Sequence, residues 1–154
     1  MQTVNFKKIM IATDGSDCSK LAAKKGIDLA RLSGGTVYAV YVVSTASLSM
    51  DGDYFSSVRA NPNLELIYEA LKNQGQQAVD YVISLGEMKG VNVKPVLLEG
   101  NTAEELLRYA KEEKMDLVIM GTLGKTGLYR LLLGSVAENV VRHSKVPVMV
   151  VGKV

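Results

Sequence analysis

A chain of 154 residues, 47% of them hydrophobic and 22% charged, has the length of one domain and the composition of an ordinary globular protein, able to bury roughly two-thirds of its unfolded surface. Its 18 basic and 16 acidic residues leave a formal charge of +2 and are spread along the chain, which points to neither nucleic acid nor a membrane surface as partner. The single cysteine, Cys18, excludes an internal disulfide, no segment has the ~18 apolar residues of a membrane span, and the first apolar run is too short for a secretory signal, so a cytoplasmic setting is expected.

In chain order, Ile9 to Thr13 is a short apolar run that stops at Asp14-Gly15-Ser16, as a buried strand does at a turn. Ser16 is placed to cap a helix reaching Ser33. Cys18, Leu21, Ala22, Leu29 and Ala30 recur at helical spacing, and Gly34 is the expected left-handed stop. The i, i+4 relation of Cys18 to Ala22 reads as packing rather than as a reactive thiol. Thr36 to Val43 is β-branched and aromatic throughout and predicts a central strand covered on both faces. Ser44 to Pro62 is polar and without period, suited to a lid, a short helix or a disordered segment. Asn63 to Met88 predicts a long helix with Leu64, Ile67, Leu71, Ala78, Val82 and Leu85 on one face. Gly75 in its exposed interior would cost about 1 kcal/mol relative to alanine, and Gly90 closes the helix.

Val91 to Leu98, with Pro95 inside it, is the third predicted strand. Thr102-x-x-Glu105 reads as a capping box opening a helix to about Lys114, with Ala103, Leu106, Leu107 and Ala110 turned inward. Asp116 to Met120 is the fourth strand; Val136, Ala137, Val140 and Val141 mark the last helix, and Val146 to Val151 is the fifth strand. Strands alternating with helices require a parallel sheet with helices on both faces, a three-layer α/β sandwich, expected to occupy residues 1–154 as a single domain. Pro95 and Pro147 each remove a ladder donor, which places strands three and five at the edges. The order 3-2-1-4-5 meets that condition and puts the topological switch between strands one and four, beside the loops where open α/β sheets bind ligands.

One of those loops is the glycine segment GTLGKTGLYRLLLGSV from Gly121 to Val136. Gly121 and Gly124 would let backbone N–H groups approach a ligand, Gly134 and Ser135 stand where the next helix begins, and Lys125 and Arg130 would offset phosphate charge. Glycines that merely turn the loop are the alternative. A Walker loop is excluded, because the position five before Gly124 in Gly124-Lys125-Thr126 is Ile119. A dinucleotide fingerprint fails as well, since Asp14-Gly15-Ser16 supplies a single glycine.

The pattern Gly121-x2-Gly124-x9-Gly134-Ser135, with Asp14-Gly15-Ser16 after the first strand and a Lys145-Val146-Pro147-Val148-Met149-Val150-Val151 ending, resembles the ATP-binding branch of the universal stress protein family over nearly the whole chain. The resemblance implies a Rossmann-like five-stranded domain that binds ATP or AMP, with Mg2+ accompanying ATP, in a homodimer. It also implies a regulatory role in stress tolerance, through a protein target that the sequence does not name. Carried over residue by residue, Gly121, Gly124, Gly134 and Ser135 match the phosphate and ribose contacts. Ala12, Thr13 and Asp14 match the first-strand contacts, Val42 falls near the adenine at the end of strand two, and Met120 and Val136 flank the nucleotide. The sequence departs from the family where Leu123 replaces a frequent histidine and Lys125 a common arginine.

Asp14 beside a polyphosphate is repelled unless it meets a ribose hydroxyl, an adenine amine or a bridging cation; its structural alternative is an Asx turn or a helix N-terminal charge. His143, the sole histidine, is expected in the last turn of a helix, where a cation suits the dipole. Glu104, Glu105, Glu112 and Glu113 read as one helix's solvated side. No catalytic triad and no metal cluster is recognisable. Three classes remain open: a nucleotide-dependent regulator, a nucleotide-hydrolysing or adenylating enzyme of related fold, and a dimeric scaffold with an empty pocket. The closing strand, apolar on both sides, is expected to pair with its counterpart across a two-fold axis.

Overall fold

The computed structural model describes residues 5–45, 62–122 and 133–153. In chain order the elements are β1 (Lys8–Ala12), α1 (Asp17–Ser33), β2 (Thr36–Ser44), α2 (Pro62–Lys89), β3 (Val93–Gly100), α3 (Thr102–Glu112), β4 (Leu117–Gly121), α4 (Ser135–His143) and β5 (Val148–Val151). The five strands form one parallel sheet in the order β3-β2-β1-β4-β5, as expected from the alternating pattern and Pro95.

Side chains alternate across the central strands, so each face of the sheet carries its own core. Ile9, Ile11, Ala39, Tyr41 and Ile119 pack with Ala22, Ile27 and Ala30 of α1 and with Ala78, Val79 and Val82 of α2. Met10, Ala12, Val40, Val42, Val118 and Met120 pack on the other face with Ala103, Leu106 and Ala110 of α3 and with Ala137 and Val140 of α4. The helices that follow the adjacent strands β1 and β4 therefore leave to opposite faces, and a crevice opens between them at the carboxyl edge. At the amino edge the Asp116 carboxylate accepts from the amides of Lys7 (2.9 Å) and Lys8 (2.8 Å), while its own amide donates to the Lys8 carbonyl (2.8 Å). That clamp holds β1 and β4 together and carries their alignment up to the crevice.

Local chemistry sets the element ends. Ser16 caps α1 by accepting from the Ser19 amide, and Gly34, at φ 66°, stops it in the left-handed conformation. The capping box is corrected: Asn101, not Thr102, is the N-cap of α3, its Oδ1 accepting from the Glu104 amide at 3.1 Å, and Thr102 is already helical. Asparagine is the stronger N-cap, and a cap one residue earlier takes Glu105 out of the box position. Gly75 is also corrected. It is buried rather than exposed, because a Cβ there would lie 2.5 Å from Cδ1 of the Tyr41 ring. The buried stripe of α2 is Gly75, Ala78, Val79, Val82 and Gly86, small residues that let the helix lie close on the sheet, and Ile67 is 44% exposed. Pro147 precedes β5 and takes no ladder donor from it; its carbonyl accepts from Val118 at 2.9 Å. The edge position of β5 holds nonetheless. Most of the segment from Ser44 to Pro62 lies outside the described residues.

Candidate functional site

The crevice is built from three chain ends. After β1 the Thr13 amide donates to the Val40 carbonyl at 2.9 Å, extending the strand by one residue, and the chain then turns through Gly15 at φ 81°. The turn is hydrogen-bonded internally. Ser16 N–H donates to Asp14 Oδ1 at 2.9 Å, Gly15 N–H to Thr13 Oγ1 at 3.3 Å, the buried Thr13 hydroxyl to Ser19 Oγ at 3.2 Å, and Ser19 Oγ–H to the Ser16 carbonyl at 2.8 Å. The Asx turn considered for Asp14 is thus present, and it uses one carboxylate oxygen of a half-buried side chain. Since Ser16 caps α1, that helix end has a side-chain partner for one of its amides.

The N-terminus of α4 is different. Gly134 is its N-cap, at φ −63° and ψ 158°, and has no side chain with which to satisfy the first amides. Its own N–H donates to the Thr122 carbonyl at 2.6 Å, and the Thr122 amide donates to Val151 at 3.0 Å. The glycine segment therefore leaves β4 and enters α4 through one hydrogen-bonded neck. Thr122 forms that neck and was not singled out in the sequence. Its signal was a β-branched residue continuing the β4 ladder onto β5. Ser135 opens α4 with an exposed side chain, beside the half-buried Val136.

Four of the expected residues meet in one apolar group: Ala12, Val42 and Met120, all buried, with Val136 packed against their cluster. Thr13 and Asp14 lie at the end of β1, Gly121 ends β4, and Gly134 and Ser135 begin α4. Gly124, together with Leu123, Lys125 and Arg130, lies outside the described residues. Gly121 has a packing reason for being glycine that spacing did not reveal: a Cβ there would sit 2.8 Å from the carbonyl carbon of Cys18 and 2.9 Å from its Cβ, where β4 meets α1. Cys18 is a buried free thiol in this contact, as its helical spacing indicated.

Tyr41 is the second residue overlooked in the sequence, where it read as one of two tyrosines in a buried strand. Burial pushes its phenol pKa above the ordinary 10.0, and the negative charge of Asp14 pushes it further in the same direction. A folded-state value above the unfolded one means that the contribution of the neutral phenol to stability is intact below about pH 10 and is lost as pH rises through the folded-state value. His143 closes α4, exposed, with Nδ1 3.0 Å from the Asn139 carbonyl and 2.9 Å from Asn139 Oδ1. Arg108 bridges Glu105 (2.6 Å) and Glu112 (2.7 Å) on the outer side of α3. Among the described residues there is no group of three or more histidine, cysteine or acidic side chains able to hold a metal ion, and no helix is long and apolar enough to cross a membrane.

Residues 5–152 match the model of the universal stress protein family. The chain belongs to that family. Universal stress protein MJ0531 of Methanocaldococcus jannaschii is 45% identical over 148 residues, which are 96% of this chain and 83% of that one. MJ0577 of the same organism is 32% identical over 157 residues, 97% of this chain and 96% of its own. The solved structure of MJ0577 matches with a TM-score of 0.73 at 31% identity and covers 95% of each chain. Two further universal stress proteins share the fold. One, in complex with cAMP, has a TM-score of 0.62 at 24% identity over 96% of this chain and 97% of that one. The other, from Archaeoglobus fulgidus in complex with dAMP, has a TM-score of 0.64 at 18% identity over 97% and 99%.

Proposed function

We propose that this universal stress protein binds an adenine nucleotide, ATP or AMP, in the crevice between β1 and β4 and uses its occupancy to regulate a protein target under stress. The observation that carries this reading is the meeting, at the topological switch, of a helix N-terminus whose N-cap has no side chain with an apolar group and a carboxylate. The amides of Ser135 and Val136, the Ser135 hydroxyl and the dipole of α4 suit phosphate. Ala12, Val42, Met120 and Val136 suit the faces of a purine, and the Asp14 oxygen left over from its Asx turn suits a ribose hydroxyl or an exocyclic amine. Gly121, at the end of β4, would let the main chain approach the phosphates, and the family pattern assigns Gly124 the same part. The cAMP and dAMP complexes of proteins sharing this fold support the same class of ligand. Asp14 is a single carboxylate, so Mg2+ would reach the site held chiefly by the phosphates of ATP.

Isothermal titration of the purified chain with ATP and with AMP, with and without Mg2+, tests this directly, alongside mass spectrometry of small molecules released on denaturation. Binding of at least one of them with a Kd in the micromolar range or tighter is expected. A chain that releases no adenine nucleotide and takes up neither would overturn the reading.

The family resemblance and the edge position of β5 also support a cytoplasmic homodimer joined along Val146 to Val151. Met149 is 38% exposed and Val148, Val150 and Val151 are half-buried, leaving an apolar edge for a second copy to cover. Sedimentation at micromolar concentration is expected to show a dimer, and Met149→Lys is expected to shift it toward monomer. A wild-type monomer throughout that range would rule the pairing out.

A further inference from the structure

We propose that Tyr41 is a positioning residue for Asp14, its ring set in the notch of Gly75 so that α2 supports the ligand-binding turn from behind. The inference rests on the reading of Asp14 as a ligand contact. Two neighbouring points of α2 matter, one packed on Tyr41 and one behind the turn. At Gly75 the Tyr41 ring occupies the place of a side chain, with Cδ1 2.5 Å, Cε1 2.8 Å and Cγ 3.0 Å from where a Cβ would be. At Ala78, three residues further and on the same helix face, the methyl lies 3.7 Å from where a Cβ of Gly15 would stand. The Thr13–Val40 hydrogen bond ties the start of the turn to the residue before Tyr41. The start of the Asp14-Gly15 turn is thus tied to β2, and the tight Tyr41–Gly75 contact passes a displacement of α2 to that strand and so to the turn.

The phenol is a reporter for the turn: burial raises its pKa first and the Asp14 charge raises it further, while the α2 residue against its ring, Gly75, is uncharged. Tyr41 acts through Asp14. It lies on the face packed against α1 and α2, opposite Ala12, Val42 and Met120.

Two measurements test this. In the ligand-free protein, the absorbance titration of Tyr41 is isolated from the other six of the seven tyrosines by subtracting Tyr41→Phe, and the subtraction is repeated in an Asp14→Asn background. A lower phenol pKa in Asp14→Asn is expected, and an unmoved titration overturns the proposal. Separately, Gly75→Ala, which forces the ring aside, is expected to weaken ATP binding roughly tenfold. A folded Gly75→Ala protein that binds ATP as tightly as wild type overturns it too. If Gly75→Ala does not fold, the titration pair alone decides. A wild-type chain that takes up no ATP or AMP defeats the nucleotide reading, and the ligand-free titration still shows whether Tyr41 and Asp14 are coupled.

Discussion

Replacing Gly121 with alanine is expected to lower the unfolding free energy by about 1–3 kcal/mol, read as a fall in the urea midpoint at unchanged slope. The added Cβ would lie 2.8 Å from the Cys18 carbonyl carbon, 2.9 Å from the Cys18 Cβ and 3.0 Å from the Cys18 carbonyl oxygen. These are atoms of the first turn of α1, so no flexible tip can swing away and the helix must withdraw from β4. Alanine restricts the unfolded chain and thereby returns about 0.4–1 kcal/mol, less than the overlap costs. A variant as stable as wild type would show that α1 yields freely. Because this glycine serves packing, loss of nucleotide on its substitution would not isolate a phosphate contact. Gly134, at φ −63°, has a backbone that any residue adopts, so a side chain added there carries no backbone strain and is the better test of ligand access.

Asp14→Ala is expected to weaken nucleotide binding by roughly tenfold to a hundredfold, the worth of one hydrogen bond from a charged group, while the domain stays folded. The structural cost is small because the turn keeps most of its bonds. The Ser16 amide loses Asp14 Oδ1, worth about 1 kcal/mol, but the Ser16 cap on α1 and the Thr13–Ser19 pair remain. Asp14→Asn retains an acceptor for the Ser16 amide and removes only the charge, so it separates the turn from the ligand. Titration calorimetry with ATP checks both variants, and a wild-type Kd in Asp14→Ala would exclude the carboxylate as a ligand.

Nearly all of the topology was legible from periodicity and punctuation. Gly34 marked the end of α1, Pro95 marked an edge strand, and the β-branched run from Thr36 marked a strand buried on both faces. These signals are local: a proline cannot donate, and a left-handed stop favours glycine, whatever surrounds them. The position of the crevice was legible too, since it follows from strand order alone. What failed to show was the reason for individual glycines. Gly75 read as an exposed weak point and is a socket for Tyr41; Gly121 read as a ligand approach, and the structure gives it a packing reason where β4 meets the first turn of α1. The contacts of Tyr41 and Thr122 were invisible because each joins separate elements, one β2 to α2 and the other β4 to β5 and α4.

From sequence alone came the alternating elements, their caps but for the one-residue shift to Asn101, the order of the sheet and the family. Each of these depends on residues near one another along the chain or on a spaced pattern of residue types. Only the tertiary structure decided which glycines hold helices against the sheet and that Ala12, Val42, Met120 and Val136 share one apolar group. It alone placed the Asp14 turn between β2 and α2, because those contacts join residues far apart in sequence, brought together when helices from both faces close on one sheet.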